Sequence, residues 1–378
     1  LCIPFALRPI LEIAVTYFRG TNKVWILSAE FISALALWAI AFTLPTNYWF
    51  QGTMYFMPII VTVGVLYDIA TERFYTDNES ANNLHHDTMA KLFFFTAMLF
   101  GIGVVVMMAG NMEVITRNVR YSWSFIFYLM AGIEFLLWLW HSIFLPGKNY
   151  LPLINKDIFG LDFKECRTVL YTSTHGLCNR SMLCFVIIFA IPEALMLMVS
   201  PLFLIDAPHN GGLGLAPQEF GLAYGTIGII AFFCGRMAGN SLIHRHGLRG
   251  WLLPITVMAI AHGYTLLYLS YNINSSLSMI CLTTLIANMT SGLGYSAYAS
   301  VVGHYATLGS GSVMRRAIAK GTTCCTIILI GMFAGLLQIN IGYRQFFILS
   351  VALYTLSVFS AIAYLYATRH KKQALSAD

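Results

Sequence analysis

Pro192 and Glu193 stand side by side about halfway along residues 182 to 205, a run otherwise built almost entirely of Leu, Phe, Ile, Ala, Met and Val. The run is long enough to cross a bilayer, and an acid at that depth costs a few kcal/mol unless it has a partner or meets water. Pro192 also removes one backbone hydrogen bond and frees a carbonyl inside the helix. A site that passes a proton between the two faces of a membrane needs a titratable group inside it, so Glu193 is the expected proton-coupling residue. The competing reading is a kinked helix holding a structural acid.

Other residues could contribute chemistry around it. Asn288, Ser291, Gly292, Gly294, Tyr295 and Tyr298 make the stretch 277 to 299 polar and small for a span. That composition suits a helix lining a wet cavity, where Tyr295 and Tyr298 could stack on and hydrogen-bond a glycan or nucleotide, with Asn288 beside them. Ordinary helix packing is the alternative. Glu134, near the middle of 122 to 145, and Glu30, one or two turns into 24 to 44, are intramembrane acids, and Glu134 is counted among the solute-binding residues. Arg236 lies two-thirds through its span and either acts there or extends toward the cytoplasmic face. Arg8 and Glu12 form an i,i+4 pair, Asp68 and Glu72 lie one turn apart beside Arg73, and Arg249 opens a later span. These six are the expected gate on the cytoplasmic side. His141, His262 and His304 are single histidines without ligand spacing, so no metal is expected. Neither do the eight cysteines form a disulfide pattern. Gly221 with Gly225, Gly235 with Gly239 and Gly331 with Gly335 each have the spacing that lets helices approach closely.

The elements that must hold these residues are set by composition. The chain has 378 residues, 58% hydrophobic and 10% charged, with a mean hydropathy of +0.71, which excludes an ordinary soluble domain. Eleven apolar segments are expected as helices: 1 to 15, 24 to 44, 52 to 70, 92 to 110, 122 to 145, 182 to 205, 220 to 242, 250 to 270, 277 to 299, 318 to 338 and 346 to 367. They do not alternate apolar and polar residues, which excludes a transmembrane barrel. Of the 22 Lys and Arg, seventeen fall on one side of the implied membrane and three on the other, with Arg8 and Arg236 inside spans. The rich side is cytoplasmic by the positive-inside rule, so the net charge of +6 is a topology signal and not a nucleic-acid footprint.

Residues 146 to 180, with Pro146, Pro152 and mixed charges, read as a cytoplasmic linker between an N-terminal bundle at 1–145 and a C-terminal bundle at 181–378. An odd number of spans with a cytoplasmic first connection places residue 1 outside and the C-terminus inside. One helix ahead of the first visible span is therefore expected, restoring six plus six. A short internal echo agrees: Gly20, Lys23 and Trp25 precede one span as Gly247, Arg249 and Trp251 precede another.

Several stretches resemble AmpG-type permeases, of the peptide and acetyl-coenzyme A transporter group in the major facilitator superfamily. In the second half these are Pro192-Glu193-Ala194, Pro201 to Asp206, Gly211 to Leu215, Glu219 to Leu222, Tyr224-Gly225-Thr226, Gly247 to Trp251, Gly294 to Tyr298 and Gly342 to Phe347. In the first half, Arg8 to Glu12, Lys23-Val24-Trp25, Asp68-Ile69-Ala70 and Phe74-Tyr75 are similar to the corresponding family stretches. The resemblance implies an all-α polytopic protein of two six-helix bundles in a bacterial inner membrane, working as a monomer by alternating access. It implies proton-driven import of muropeptides, the anhydro-sugar peptides released in cell-wall recycling, with the proton gradient in place of any cofactor. The expected partners are a small solute and the lipid bilayer. Alternatives are a transporter of acyl-coenzyme A or another small metabolite, and a non-transporting membrane sensor. A membrane-embedded acyltransferase or hydrolase would need a nucleophile with a paired base, which the scattered histidines do not supply.

Overall fold

The computed structural model describes residues 22–78, 92–145, 177–307 and 312–374, together with Pro4, Leu11 and Val15. Side chains at positions 72, 73, 75–78, 177–179, 312–318, 320 and 370–374 are outside the description. Among the described residues the chain is helical, and nine helices are long and apolar enough to cross a membrane. The segment expected as a span at 1 to 15 and most of the 146 to 180 linker lie outside the described residues.

The helices are α1 (Asn22–Thr43), α2 (Trp49–Asn78), α3 (Leu92–Thr116), α4 (Val119–Phe144), α5 (Leu177–Ile205), α6 (Pro217–His246), α7 (Leu248–Tyr271), α8 (Leu277–Thr307) and α9 (Ser312–Ala374). At 63 residues, α9 would be far longer than a bilayer is thick. Gly342, at φ 74° and ψ 164°, breaks it into two arms, a backbone conformation that only a residue without Cβ adopts freely. The two arms correspond to the two spans expected at 318 to 338 and 346 to 367.

Contacts divide the chain into two units, Leu1–Phe94 with Met108–Gly160, and Phe95–Met107 with Leu161–Asp378. The N-terminal bundle expected to run unbroken to 145 therefore gives up the middle of α3, which packs with the second unit. The local reason is backbone-to-backbone contact. Residues Leu99–Val104 of α3 and Gly221–Gly228 of α6 are both π-helical. An ideal Cβ on Gly225 would fall 2.3 Å from the carbonyl oxygen of Ile102, so only glycine fits where the two turns meet.

In the first unit α1 packs on α2 and α4. Ser124 of α4 donates to the carbonyl of Ala41 at 2.6 Å, and Lys23 Nζ caps the end of α4 through the carbonyls of Ser142 and Leu145 at 3.1 and 2.6 Å. Asn118 closes the other end of α4, its Oδ1 accepting from the amides of Arg120 and Tyr121.

In the second unit α5 packs most extensively on α9, and α6 on α8. Pro192 leaves the Ile188 carbonyl without its helical donor. Ser357 of α9 supplies one, its Oγ standing 3.2 Å from that oxygen. The α6–α8 contact is made by glycines. An ideal Cβ on Gly235 would sit 2.0 Å from the Met289 carbonyl oxygen, and one on Gly292 2.0 Å from that of Phe232. Of the three glycine pairs singled out by spacing, Gly221 with Gly225 and Gly235 with Gly239 are close-packing positions, whereas Gly335 has open space beside it.

Candidate functional site

The site grows out of the kink in α5. One turn beyond the carbonyl that Ser357 takes up, Glu193 turns its carboxyl group toward α8 and α9. Ser291 of α8 donates to Oε2 at 3.0 Å, and Tyr354 of α9 donates to Oε1 at 3.0 Å. The same phenol oxygen lies 3.1 Å from Nδ1 of His262 on α7. Tyr354 is fully buried and His262 is 8% exposed, so this chain of acid, phenol and imidazole runs through the interior of the unit. Gly263, next to His262, makes room for it, since a Cβ there would press on Val351 at 2.8 Å and contact the Tyr354 ring. Tyr224, in the π-helical turn of α6, lies within electrostatic range of the Glu193 charge.

The hydrogens in this chain are constrained. A phenol has one hydrogen to donate. While Tyr354 gives it to Glu193, His262 must carry its proton on Nδ1 to complete its own bond. If Glu193 is protonated and donates instead, Tyr354 can turn its hydrogen to a bare Nδ1. The charge state of the acid and the tautomer of the imidazole are thus linked through one hydroxyl, without a basic side chain beside the carboxylate.

The polar stripe of α8 carries the rest. Ser291, Tyr295 and Tyr298 recur at the spacing of one helix face. Tyr298 stacks on Phe189 of α5 at 6.2 Å with rings 14° apart, and its hydroxyl meets Thr323 Oγ1 at 2.5 Å. Tyr295 is 40% exposed, packs edge-on toward Tyr298 and Phe232, and lies 4.8 Å under the guanidinium of Arg236. Asn288, expected beside them, instead gives its amide hydrogen to the Thr284 carbonyl of its own helix at 3.0 Å. A guanidinium at the centre of a span costs about 2.5–3.5 kcal/mol on insertion scales. An aromatic face returns about 0.5–2 kcal/mol.

Glu134 belongs to a different cluster, in the first unit. Glu30 is 3% exposed, and its Oε1 meets Nδ1 of His141 at 2.5 Å. Glu134, two turns before His141 on α4, is close enough for its charge to act on both. Glu30 Oε2 is buried without a hydrogen-bond partner among the described residues.

The expected gate is only partly described. Arg8 and Glu12 lie outside the described residues, and Glu72 and Arg73 are placed on α2 by their backbone alone. Asp68 is exposed on α2. Arg249 ties the start of α7 to the second arm of α9 through the Thr368 carbonyl at 3.3 Å. His141, His262 and Tyr354 were not singled out for function by sequence reasoning. Their partners lie 92 to 161 positions away along the chain, and a lone histidine on an apolar helix carries no local signal of them. No group of three metal-ligating side chains occurs among the described residues.

Neither family models nor curated proteins match the chain by sequence. Solved structures do. The nucleoside transporter NupG aligns over 96% of this chain and 89% of its own, at a TM-score of 0.62 and 12% identity. A bacterial homologue of the human lysosomal transporter Spinster, inward-facing and unoccupied, aligns over 97% and 87%, at 0.56 and 15% identity. A POT family transporter in complex with 5-aminolevulinic acid aligns over 96% and 85%, at 0.55 and 12% identity. With helices of spanning length throughout and these neighbours over nearly its whole length, the chain has the all-α, polytopic fold of major facilitator type transporters.

Proposed function

We propose that this protein is a secondary active transporter that couples solute movement to protons, with Glu193 as the proton-carrying group. The observation that carries the reading is the Glu193, Tyr354, His262 chain: an acid inside a span, held by two hydroxyls and no cation, and linked to a buried imidazole. Such a chain can take up and release a proton by rotating one hydroxyl. A purely structural acid has no need of an imidazole behind it. The neighbours in fold include a nucleoside transporter and a POT family transporter, which is consistent with a small polar solute.

For the solute, the sequence resemblance favours a muropeptide or related cell-wall sugar peptide, imported across the bacterial inner membrane by alternating access in a monomer whose C-terminus is cytoplasmic. The aromatic stripe of Tyr295 and Tyr298 suits the ring faces of such a solute. Acyl-coenzyme A transport and a sensor role have no separate observation in their favour.

The test is uptake of labelled anhydro-muropeptide by the purified chain in liposomes under an imposed pH gradient. Wild type is expected to accumulate solute against its gradient. Glu193→Gln is expected to lose accumulation while still exchanging solute across the membrane. Accumulation by Glu193→Gln equal to wild type would remove the coupling role.

A further inference from the structure

Arg236 is the one charged group of the α6–α8 face that the proton chain leaves unused. It stands ten residues before His246, the end of α6, which is about 15 Å at 1.5 Å per residue. That is about half the hydrocarbon thickness, farther than an arginine side chain extends. The side chain does not run toward the helix end in any case, because its guanidinium is laid over the Tyr295 ring at 4.8 Å. Its backbone is fixed as well: an ideal Cβ on Gly292 would lie 3.0 Å from the Arg236 amide nitrogen, so α8 is pressed directly against this turn of α6. Among the described residues no carboxylate lies within ion-pair distance of Arg236, and no acceptor takes its N–H groups. A guanidinium has five such donors in a planar fork that matches a carboxylate or phosphate.

One turn along α8 from Tyr295, Ser291 holds Glu193. The same helix face therefore presents an acid with its hydrogen bonds filled, a cation with its hydrogen bonds open, and an exposed tyrosine ring between them. We propose that Arg236 on Tyr295 is the anion-recognising element of the solute site, and that the solute carries a carboxylate or phosphate next to a sugar or planar ring. The fork of Arg236 takes the anion, and Tyr295 with Tyr298 takes the ring face. This inference rests on the transport reading for its purpose, but not on proton coupling.

The experiment is binding to the purified full chain in nanodiscs, by calorimetry, with probes differing only in charge. N-acetylglucosamine is the neutral probe, N-acetylmuramic acid adds a carboxylate, and N-acetylglucosamine phosphate adds a phosphate. Wild type is expected to bind at least one charged probe tenfold or more tightly than the neutral one, and which of the two it prefers identifies the anion. Arg236→Gln is expected to abolish that preference, while Arg236→Lys, which keeps charge without the fork, retains part of it. Tyr295→Ala is expected to weaken all three probes, leaving the order unchanged; a variant is scored only if it elutes and melts as wild type does. Equal binding of charged and neutral probes by wild type, no binding of either charged probe, or an undiminished preference in both Arg236 variants would overturn the proposal. A preference that depends on Arg236, in a protein whose uptake ignores the pH gradient, would sink proton coupling and leave the anion site standing.

Discussion

Tyr354 donates its single hydroxyl hydrogen to Oε1 of Glu193 across 3.0 Å, from the second arm of α9 to the kink of α5. Because the same oxygen is 3.1 Å from Nδ1 of His262, this contact decides how a proton on the acid is felt by the imidazole. A hydrogen bond to a charged group is worth about 1.5–3 kcal/mol. Tyr354→Phe keeps the ring and its packing but removes the link. Gradient-driven uptake of labelled anhydro-muropeptide in liposomes is expected to fall about tenfold or more. Exchange without a gradient should change much less, and an equal loss of both would point to a packing role instead.

The kink itself is a two-residue device. Pro192 frees the Ile188 carbonyl, and Ser357 answers it at 3.2 Å. Removing that donor leaves a buried acceptor unsatisfied, at about 1–3 kcal/mol. Ser357→Ala should therefore lower the melting temperature in nanodiscs. In a Pro192→Ala background, where the helix supplies its own amide, the same change should cost clearly less. Additive losses would show that the two residues are not coupled.

Backbone contact between α6 and α8 is expected to be intolerant of a single methyl group. Gly292→Ala would put Cβ 2.0 Å from the Phe232 oxygen, so one helix must move, at about 1–3 kcal/mol. Gly335→Ala, with open space at its Cβ, should melt within a degree or two of wild type. Since Gly292 also positions Arg236 and Tyr295, its alanine variant should weaken charged probes more than its loss of stability alone explains.

In the first unit, the Glu30–His141 pair gives an asymmetric expectation. Breaking a buried pair by removing one partner leaves the other charge uncompensated, at about 3–5 kcal/mol, whereas neutralising the buried acid removes the need for a partner. His141 is 28% exposed and Glu30 only 3%, so the acid is the member that suffers when left alone. His141→Ala should destabilise the protein more than Glu30→Gln, and the double variant should resemble Glu30→Gln. Thermal unfolding of the three proteins decides it. The reverse order would mean that the histidine, and not the acid, is the group being stabilised.

These particulars mark what a sequence can and cannot convey. Glu193 was legible because an acid beside a proline breaks an apolar run, a violation visible within one helix. The fold type was legible for the same reason, since span length and charge sidedness are local sums. Gly235 and Gly239 were legible as packing through their spacing, but Gly335 has that spacing and touches nothing. The partners were not legible, because His262, Ser291 and Tyr354 reach Glu193 from three other helices and each is ordinary in its own. Likewise, the cut of the first unit at Phe95 follows from glycine contacts between two π-helical turns, and nothing in the apolar run 92 to 110 announces it.

Asp206 offers a pH test outside the membrane-spanning segments. It ends α5, where its Oδ1 accepts from the Asn210 side chain and the Ala207 amide and its Oδ2 from the Tyr343 hydroxyl, all at 3.0 Å. The Asn210 bond first, then those of Tyr343 and Ala207, hold its carboxyl below the usual aspartate range, against a smaller opposing effect of desolvation. A carboxyl with a depressed folded-state pKa stabilises the fold fully above its unfolded value, about 3.9, and loses that contribution as pH falls through the folded value. Asp206→Asn should therefore melt below wild type at pH 5 to 7, and the gap should shrink steadily as the medium is taken below about pH 4. The site is largely open to solvent, so the gap should be modest and should narrow in high salt. Tyr343→Phe should reproduce part of it, since that hydroxyl fastens the residue after Gly342 to the end of α5. A gap that persists unchanged in acid would mean that Asp206 acts through shape and not through its charge.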